Sequence, residues 1–309
     1  MSKAFGLRPR GPFNLQAAND YFGGWIASAA THDLAIPMAF PVERLEDSAA
    51  VVLRQQDAGD VAGEVFRDAA HPERAWEQAL AVLSLDINAT DFPEVGREDP
   101  VAGDLQRRYE GLRPVLFHSP YEAAAAFVIG HRISISQGRT IRTRLAAAHG
   151  EAIDTDIGVQ RAFPTPRSLL RIESFPGIAP AKWPRLHAVA QAALDGVLDR
   201  AALRAMPVAD ALTLLRTIPG VGPFFSQGVL IRGAGTVDVV SDDEVTKRAV
   251  QQAYKLDHLP DHAEVLSIAE RWKPFRTWVT VLLHVSLRRD GEAQPHTPSR
   301  GRTKSRAKP

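Results

Sequence analysis

The stretch that decides the fold is Leu215-Arg-Thr-Ile-Pro-Gly-Val-Gly-Pro-Phe224, in which two glycines stand two residues apart. The apolar residues before it follow a helical spacing, and Pro223 is typical of a first helical turn. Glycine permits positive φ, and successive N–H groups beside a helix N-terminus form a concave anion site. The segment therefore predicts two helices joined by a turn that can hold a phosphate. A tight turn between two packed helices has the same pattern.

A pair of carboxylates follows the hairpin. Ser241-Asp-Asp-Glu244 has the pattern of a capping box, so we expect Ser241 to be the N-cap of a helix through Tyr254, with Asp242 and Asp243 in its first turn. A helix N-terminus favours the ionised carboxylate. Such a group can stabilise the positive charge that grows on a sugar carbon as a glycosidic bond breaks, and it can orient water. Acidic residues also occur in first helical turns merely because they suit the helix dipole.

Composition limits the chemistry that the chain can use. The 309 residues include 37 Lys and Arg, 36 Asp and Glu and 10 His, and the net charge is +1 at pH 7. A surface that binds nucleic acid must therefore come from local clusters of Lys and Arg. The absence of cysteine excludes disulfides, thiolate metal sites, iron–sulfur clusters and a cysteine nucleophile.

The chain divides into three predicted parts. Residues 1–112 have a mixed pattern that predicts a small α+β domain, with a linker at Asp91–Pro100. Residues 113–288 are mainly helical, and their first helix is predicted to run from Ser119 to His149. Residues 289–309 are basic, lack periodicity and are predicted to be disordered.

The hairpin and the downstream carboxylate together resemble the helix-hairpin-helix DNA glycosylases, and most of all their AlkA-like 3-methyladenine branch. The stretches that carry the resemblance are Ile218–Gly222, Val237–Arg248, Ala162–Pro166, Ala192–Gly196 and Ala269–Arg276. The resemblance covers roughly residues 113–288. It implies a mainly α fold, with a helix-hairpin-helix glycosylase core of two helical lobes and a small N-terminal α+β domain.

The resemblance implies that Asp243 is the catalytic aspartate and that Asp242 is the neighbour most easily mistaken for it. Other members of the superfamily have a lysine two residues after the second hairpin glycine, which forms a Schiff base and cleaves the strand. Phe224 stands there in this chain and cannot do that chemistry. The expected enzyme is a monofunctional glycosylase of base excision repair. It would flip an alkylated purine of the 3-methyladenine or 7-methylguanine type from duplex DNA and hydrolyse its N-glycosidic bond, leaving an abasic site.

The resemblance also implies what the hairpin binds. The residues expected at the DNA backbone are Gly220, Val221, Gly222 and Phe224. The carbonyl groups expected at a monovalent cation, Na⁺ or K⁺, are those of Arg216, Ile218 and Val221. No cofactor is expected for the chemistry itself.

Two positions depart from the family pattern. In the family, the wedge residue that fills the gap left by the flipped nucleotide belongs to a Gly-Gln-aliphatic pattern. The matching residues in this chain are Gly130-His131-Arg132. The wedge role therefore falls to His131 and Arg132. The alternative, that Arg132 is an ordinary solvated arginine on the helix surface, fits the sequence equally well. His284 stands where relatives have a stacking tryptophan, which puts in doubt a preference for cationic bases that rests on aromatic walls. The expected base-pocket residues are Phe127, Tyr121, Trp278 and His284.

Two alternative functions stay open at this point. One is a non-catalytic helix-hairpin-helix protein that binds DNA or recognises damage, and the other is a glycosylase for a different lesion. In each case the expected partner is double-stranded DNA that contains damaged bases, bound by a monomer. No apolar stretch is long enough to span a bilayer, so we expect no membrane contact and a bacterial cytoplasmic location at the nucleoid.

Overall fold

The chain begins with an antiparallel four-stranded sheet. A computed structural model describes residues 2–22, 35–44, 47–56, 59–67 and 71–293. The strands are β1 (Ser2–Leu7), β2 (Ala35–Pro41), β3 (Ser48–Gln55) and β4 (Val61–Phe66), in the order β1-β4-β3-β2. Residues 49–53 of β3 are fully buried because β3 is an inner strand with a covered face on each side. The predicted α+β character of the N-terminal part is confirmed.

Among the described residues of this part, four helices accompany the sheet: α1 (Leu15–Phe22), α2 (Pro72–Val82), α3 (Phe92–Glu98) and α4 (Pro100–Arg108). The predicted linker at Asp91–Pro100 is wrong, because α3 and the start of α4 occupy it. Pro100 lies in the first turn of α4, and the Asp99 side chain caps the helix by accepting from the N–H groups of Val101 and Ala102. The proline and the charges therefore mark a helix start here.

The first helical lobe runs from residue 120 to residue 234. Its elements are α5 (Pro120–Gly130), α6 (Ile135–His149), β5 (Ala152–Thr155), β6 (Gly158–Arg161), α7 (Pro166–Leu170), α8 (Trp183–Leu194), α9 (Arg200–Ala205), α10 (Val208–Leu215), α11 (Pro223–Gly228) and a π-helix (Val229–Ala234). One cluster of buried residues from these elements, including Leu145, Leu186 and Leu215, forms the core of this lobe.

The helix predicted from Ser119 to His149 is wrong in one respect, because the structure has two helices there. Gly130 ends α5, and Arg132 adopts a left-handed φ of +59°. Ser134 then caps α6 through a capping box with Gln137. This start signal overrides the apolar spacing that continues through the break.

The second lobe contains α12 (Glu244–Tyr254), α13 (His262–Ala269) and α14 (Arg276–Ala293). Its core is continuous with that of the N-terminal part, since one buried cluster contains residues from both. The indole N–H of Trp272 lies 3.2 Å from Asp99 Oδ2 and 3.0 Å from the Tyr254 hydroxyl. Residues 289–293, predicted to be disordered, extend α14, and the rest of the predicted tail lies outside the described residues.

The mainly α fold class is confirmed, with two helical lobes around separate cores and a small sheet. The division of the chain at residue 112 stays a prediction. No helix in the described part of the chain is long and apolar enough to cross a membrane.

Candidate active site

The hairpin connects α10 to α11 through a turn that needs glycine at Gly220. The Val221 N–H donates to the Ile218 carbonyl at 2.9 Å, and Gly220 has a φ of +88°. A Cβ atom at Gly220 would lie 2.6 Å from Cδ of Arg185, whereas a Cβ at Gly222 would meet nothing within 4 Å. The turn is therefore packed on α8 at its first glycine and open to the outside at its second.

A groove of about 620 Å³ runs beside the hairpin. Both hairpin glycines line it together with Phe224, and His131 and Arg132 line it from the turn between α5 and α6. The structure thus brings the predicted phosphate-binding turn and the predicted wedge residues to one surface. Arg132 is exposed there.

The turn between α5 and α6 is held by a lysine that the sequence did not indicate. Lys182 Nζ donates to the carbonyls of Ile129 at 2.7 Å and His131 at 2.9 Å. Ile135, at the start of α6, has an exposed fraction of 66% and also lines the groove. An apolar side chain this exposed at the rim is a second candidate for the wedge beside Arg132.

Asp243 is the N-cap of α12. Its Oδ1 accepts the Thr246 N–H at 2.7 Å, and its Oδ2 accepts the Ser241 hydroxyl. The expectation that Ser241 is the N-cap and that Asp243 lies within the first turn is therefore wrong by two residues, because the Asp243 side chain reaches the free N–H group first. Both oxygens of this carboxylate are held in fixed positions.

Asp242 has a different environment from that of Asp243. Its Oδ1 lies 2.7 Å from Lys247 Nζ and 3.7 Å from His262 Nδ1. The hydrogen bond from Lys247 lowers the pKa of Asp242. Only Asp243 lines the cavity described below, so the two adjacent carboxylates are clearly distinguished.

The loop that carries Asp243 is fixed to α14. The Thr277 N–H donates to the Val237 carbonyl at 2.9 Å, and the Thr277 hydroxyl binds both the N–H and the carbonyl of Val239, at 3.0 and 2.8 Å. Arg276 also forms an ion pair with Asp238, at 2.7 Å. These bonds explain why the loop holds one position although it forms no strand.

A cavity of about 130 Å³ lies between the two lobes. Phe127, Phe224 and Gly228 line it from the first lobe, and Asp243 and His284 line it from the second. Phe127 and Phe224 also line the groove, so the two spaces adjoin. A Cβ at Gly228 would lie 2.3 Å from the Phe127 ring. Glycine at this position therefore leaves room for the Phe127 ring to line the cavity.

Two of the four predicted pocket residues do not reach this cavity, and these expectations are corrected. The Tyr121 hydroxyl donates to the Pro164 carbonyl at 2.9 Å, inside the core of the first lobe. Trp278 is 2% exposed and packs against Phe92 and Phe275. Both lie on helices that are buried on most sides, where an aromatic side chain ordinarily packs in the core.

His284 lines the cavity in a neutral state. Its Nε2 lies 3.0 Å from the Thr246 hydroxyl, and the Thr246 N–H in turn caps onto Asp243. Burial lowers the pKa of His284 to about 4, so the imidazole is uncharged at pH 7.

Among the other residues that line the cavity, the sequence did not indicate Tyr21, Arg232 and Arg288. Tyr21 comes from α1 in the N-terminal part, Arg232 from the π-helix and Arg288 from α14. They are distant in the sequence and share no motif. Only the tertiary structure brings them together.

No family model matches the chain, but several proteins and solved structures are similar to it. A DNA-3-methyladenine glycosylase of Bacillus subtilis (strain 168) is 24% identical over 233 residues, which are 71% of this chain and 76% of that protein. DNA-3-methyladenine glycosylase 2 of Escherichia coli (strain K12) is 28% identical over 190 residues, which are 59% of this chain and 62% of that protein. The structure of a 3-methyladenine DNA glycosylase from Archaeoglobus fulgidus has a TM-score of 0.78 and 18% identity, covering 92% of this chain and 98% of that one.

The hairpin and the two helical lobes have the fold of the helix-hairpin-helix DNA glycosylases. The sequence relatives are named DNA-3-methyladenine glycosylases, in agreement with the resemblance of the sequence motifs to the AlkA-like branch.

Proposed function

We propose that the chain hydrolyses the N-glycosidic bond of damaged bases, alkylated purines among them, after they are flipped from duplex DNA. The observation that carries this proposal is the position of Asp243. Its carboxylate lines a cavity between the lobes, and this cavity adjoins the groove beside the hairpin. A nucleotide that leaves a duplex bound at the groove therefore enters a space that contains an ordered carboxylate.

The chemistry follows from the charge on the sugar. As the bond between C1′ and the base nitrogen breaks, positive charge grows on C1′ and on the ring oxygen. Asp243 is held by Thr246 and Ser241, so it offers its negative charge without reorganising. Water then adds to C1′ and leaves an abasic site. A purine alkylated at N3 or N7 departs as a neutral molecule.

The reaction is proposed to stop at the abasic site. Phe224 lies at the position where a Schiff-base lysine would stand, and no lysine is among the described residues that line the cavity. The expected product is a strand that breaks only after treatment with alkali. Borohydride is expected to trap no covalent complex with DNA.

The hairpin is proposed to bind a backbone phosphate with the help of Na⁺ or K⁺. The carbonyls of Arg216, Ile218 and Val221 belong to a turn that follows the end of α10, where carbonyl groups lack intrahelical donors. Uncharged carbonyl oxygens are suitable ligands for a monovalent cation. The cation would add positive charge beside the phosphate, and it has no part in bond cleavage.

A pair of adjacent substitutions tests the proposal. Asp243→Asn keeps a good N-cap, so the fold should be retained, but it removes the negative charge. Release of 7-methylguanine from alkylated duplex DNA should fall by about 100-fold or more. Asp242→Asn removes the neighbouring charge outside the cavity and should change the rate less than about threefold. Equal activity of Asp243→Asn and wild type would falsify the catalytic role.

A further inference from the structure

The turn between α5 and α6, residues 130–135, is held by a cation from another part of the chain, and we call it the wedge turn. Lys182 Nζ donates to the carbonyls of Ile129 at 2.7 Å and His131 at 2.9 Å. The backbone bond from the His131 N–H to the Val128 carbonyl is longer, at 3.4 Å. Hydrogen bonds from an ammonium group are stronger than those between neutral groups. Lys182 therefore contributes two strong bonds to this turn.

The wedge turn carries side chains that face the groove. Arg132 is exposed and has a φ of +59°, and Ile135 is also exposed. Both residues line the groove. A left-handed φ is unfavourable for a residue with a Cβ atom, so it persists only where surrounding contacts hold the backbone. The two hydrogen bonds from Lys182 are contacts of this kind.

The segment that contains Lys182 also supports the hairpin. Lys182 directly precedes α8, and Arg185 follows three residues later on the same side of the helix. A Cβ atom at Gly220 would lie 2.6 Å from Cδ of Arg185, so the hairpin backbone packs directly on that side chain. Trp183 and Leu186 fix this end of α8 in the core of the first lobe. The start of one helix thus holds both the wedge turn and the hairpin.

Building on the proposed function, we propose that Lys182 is a positioning residue for nucleotide flipping. A nucleotide that leaves the duplex opens a gap in the base stack, and a side chain of the wedge turn fills this gap. Lys182 holds the wedge turn at a fixed position relative to the phosphate bound at the hairpin, so the side chain meets the gap. Lys182 does not line the cavity that contains Asp243, and it acts through the wedge turn alone.

The test compares two duplexes that contain the same 7-methylguanine. In one duplex the lesion pairs with cytosine, and in the other it is a single-nucleotide bulge with no nucleotide opposite. When a bulged nucleotide is extruded, the flanking base pairs stack on each other, so no gap has to be filled. The rate of base release is measured for each duplex under single-turnover conditions with saturating enzyme.

Lys182→Met keeps the apolar stem of the side chain and removes both hydrogen bonds. It is expected to slow release from the paired duplex by about tenfold or more, the factor that corresponds to losing a hydrogen bond from a charged group. Release from the bulged duplex should slow by less than about threefold, because the chemistry at Asp243 is unchanged. Lys182→Gln gives the same comparison should Lys182→Met be too unstable to purify.

Ser119→Ala is the matched control. Ser119 caps the other end of α5 by accepting the Glu122 N–H at 3.1 Å, and it does not line the groove. Loss of this cap lowers the stability of the same helix, but it should leave the ratio of the two rates as in the wild type. Urea unfolding of both variants gives the stability for this comparison.

A role of Lys182 in stability alone would slow both duplexes equally. Equal slowing by Lys182→Met, or an unchanged rate on the paired duplex, overturns the inference and leaves the proposed function standing. Failure of the wild-type chain to release the base from either duplex overturns the proposed function as well.

Discussion

Replacing Gly222 by alanine is expected to weaken DNA binding without weakening the fold. Gly222 has a φ of −85°, which alanine adopts freely, and its Cβ would meet nothing within 4 Å. Alanine restricts the unfolded chain, which stabilises the fold by about 0.4–1 kcal/mol, but it is a poorer N-cap than glycine by a similar amount. The free energy of unfolding should therefore change by less than about 1 kcal/mol.

The effect on DNA binding should be larger. The added methyl group occupies the open side of the turn, where the phosphate is proposed to bind. Loss of one hydrogen bond to a charged group costs about 1.5–3 kcal/mol, which is roughly a 10- to 150-fold rise in Kd. Urea unfolding gives the stability, and fluorescence anisotropy with a duplex that contains an abasic-site analogue gives the Kd.

Two other glycines supply the comparison. Gly220→Ala is expected to lose about 1–2 kcal/mol of stability as well as affinity, because Gly220 has a φ of +88°. Gly196 has a φ of +79° and lies outside the groove, so Gly196→Ala should lose stability alone. The reasoning is refuted if Gly222→Ala binds the duplex as tightly as the wild type, or if its affinity falls only as far as its stability does.

Two further expectations concern the second lobe. Thr277→Val removes the hydroxyl that binds the backbone of Val239, so the free energy of unfolding should fall by about 1–3 kcal/mol. Base release should slow, whereas the Kd for DNA should stay unchanged. A loss of DNA affinity as large as the loss of stability would contradict this expectation. The folded-state pKa of His284, about 4, lies below its ordinary 6.5, so the unfolded chain binds the proton more tightly. The neutral imidazole thus favours folding above pH 6.5, and this contribution is lost as the pH falls from 6.5 to 4. In urea titrations His284→Gln should flatten that fall by at most about 1.4 kcal/mol per pH unit, and an unchanged slope would contradict the burial of His284.

Local signals in the sequence were enough to place the hairpin and the helical core, whereas Asp243 was singled out by the family resemblance and the start of its helix was predicted two residues too early. Glycines and prolines at Gly220, Gly222 and Pro223 act on the backbone within a few residues, so their meaning does not depend on distant parts of the chain. The same locality explains the error at α6. The Ser134 capping box is as local as the hairpin, but the prediction followed only the apolar spacing that continues past it.

The cavity walls were not predictable in the same way. Phe127 and Trp278 are both aromatic residues on helices, yet one lines the cavity and the other is in the core. Which of them reaches the cavity depends on how the lobes pack, and no periodicity encodes this. Tyr21 and Arg288 meet across almost the whole length of the chain, for which the sequence carries no local signal.

The π-helix at Val229–Ala234 sets which side chains of the first lobe face the cavity. A π-helical turn has i→i+5 hydrogen bonds and so accommodates one residue more than an α-helical turn. Deleting one residue here would restore the α-helical phase and rotate Arg232 by about 100° about the helix axis relative to α11. One in-frame codon loss would thus replace part of the cavity lining, and it would also shift Val229, Leu230 and Ala234, which are buried in the core of the first lobe.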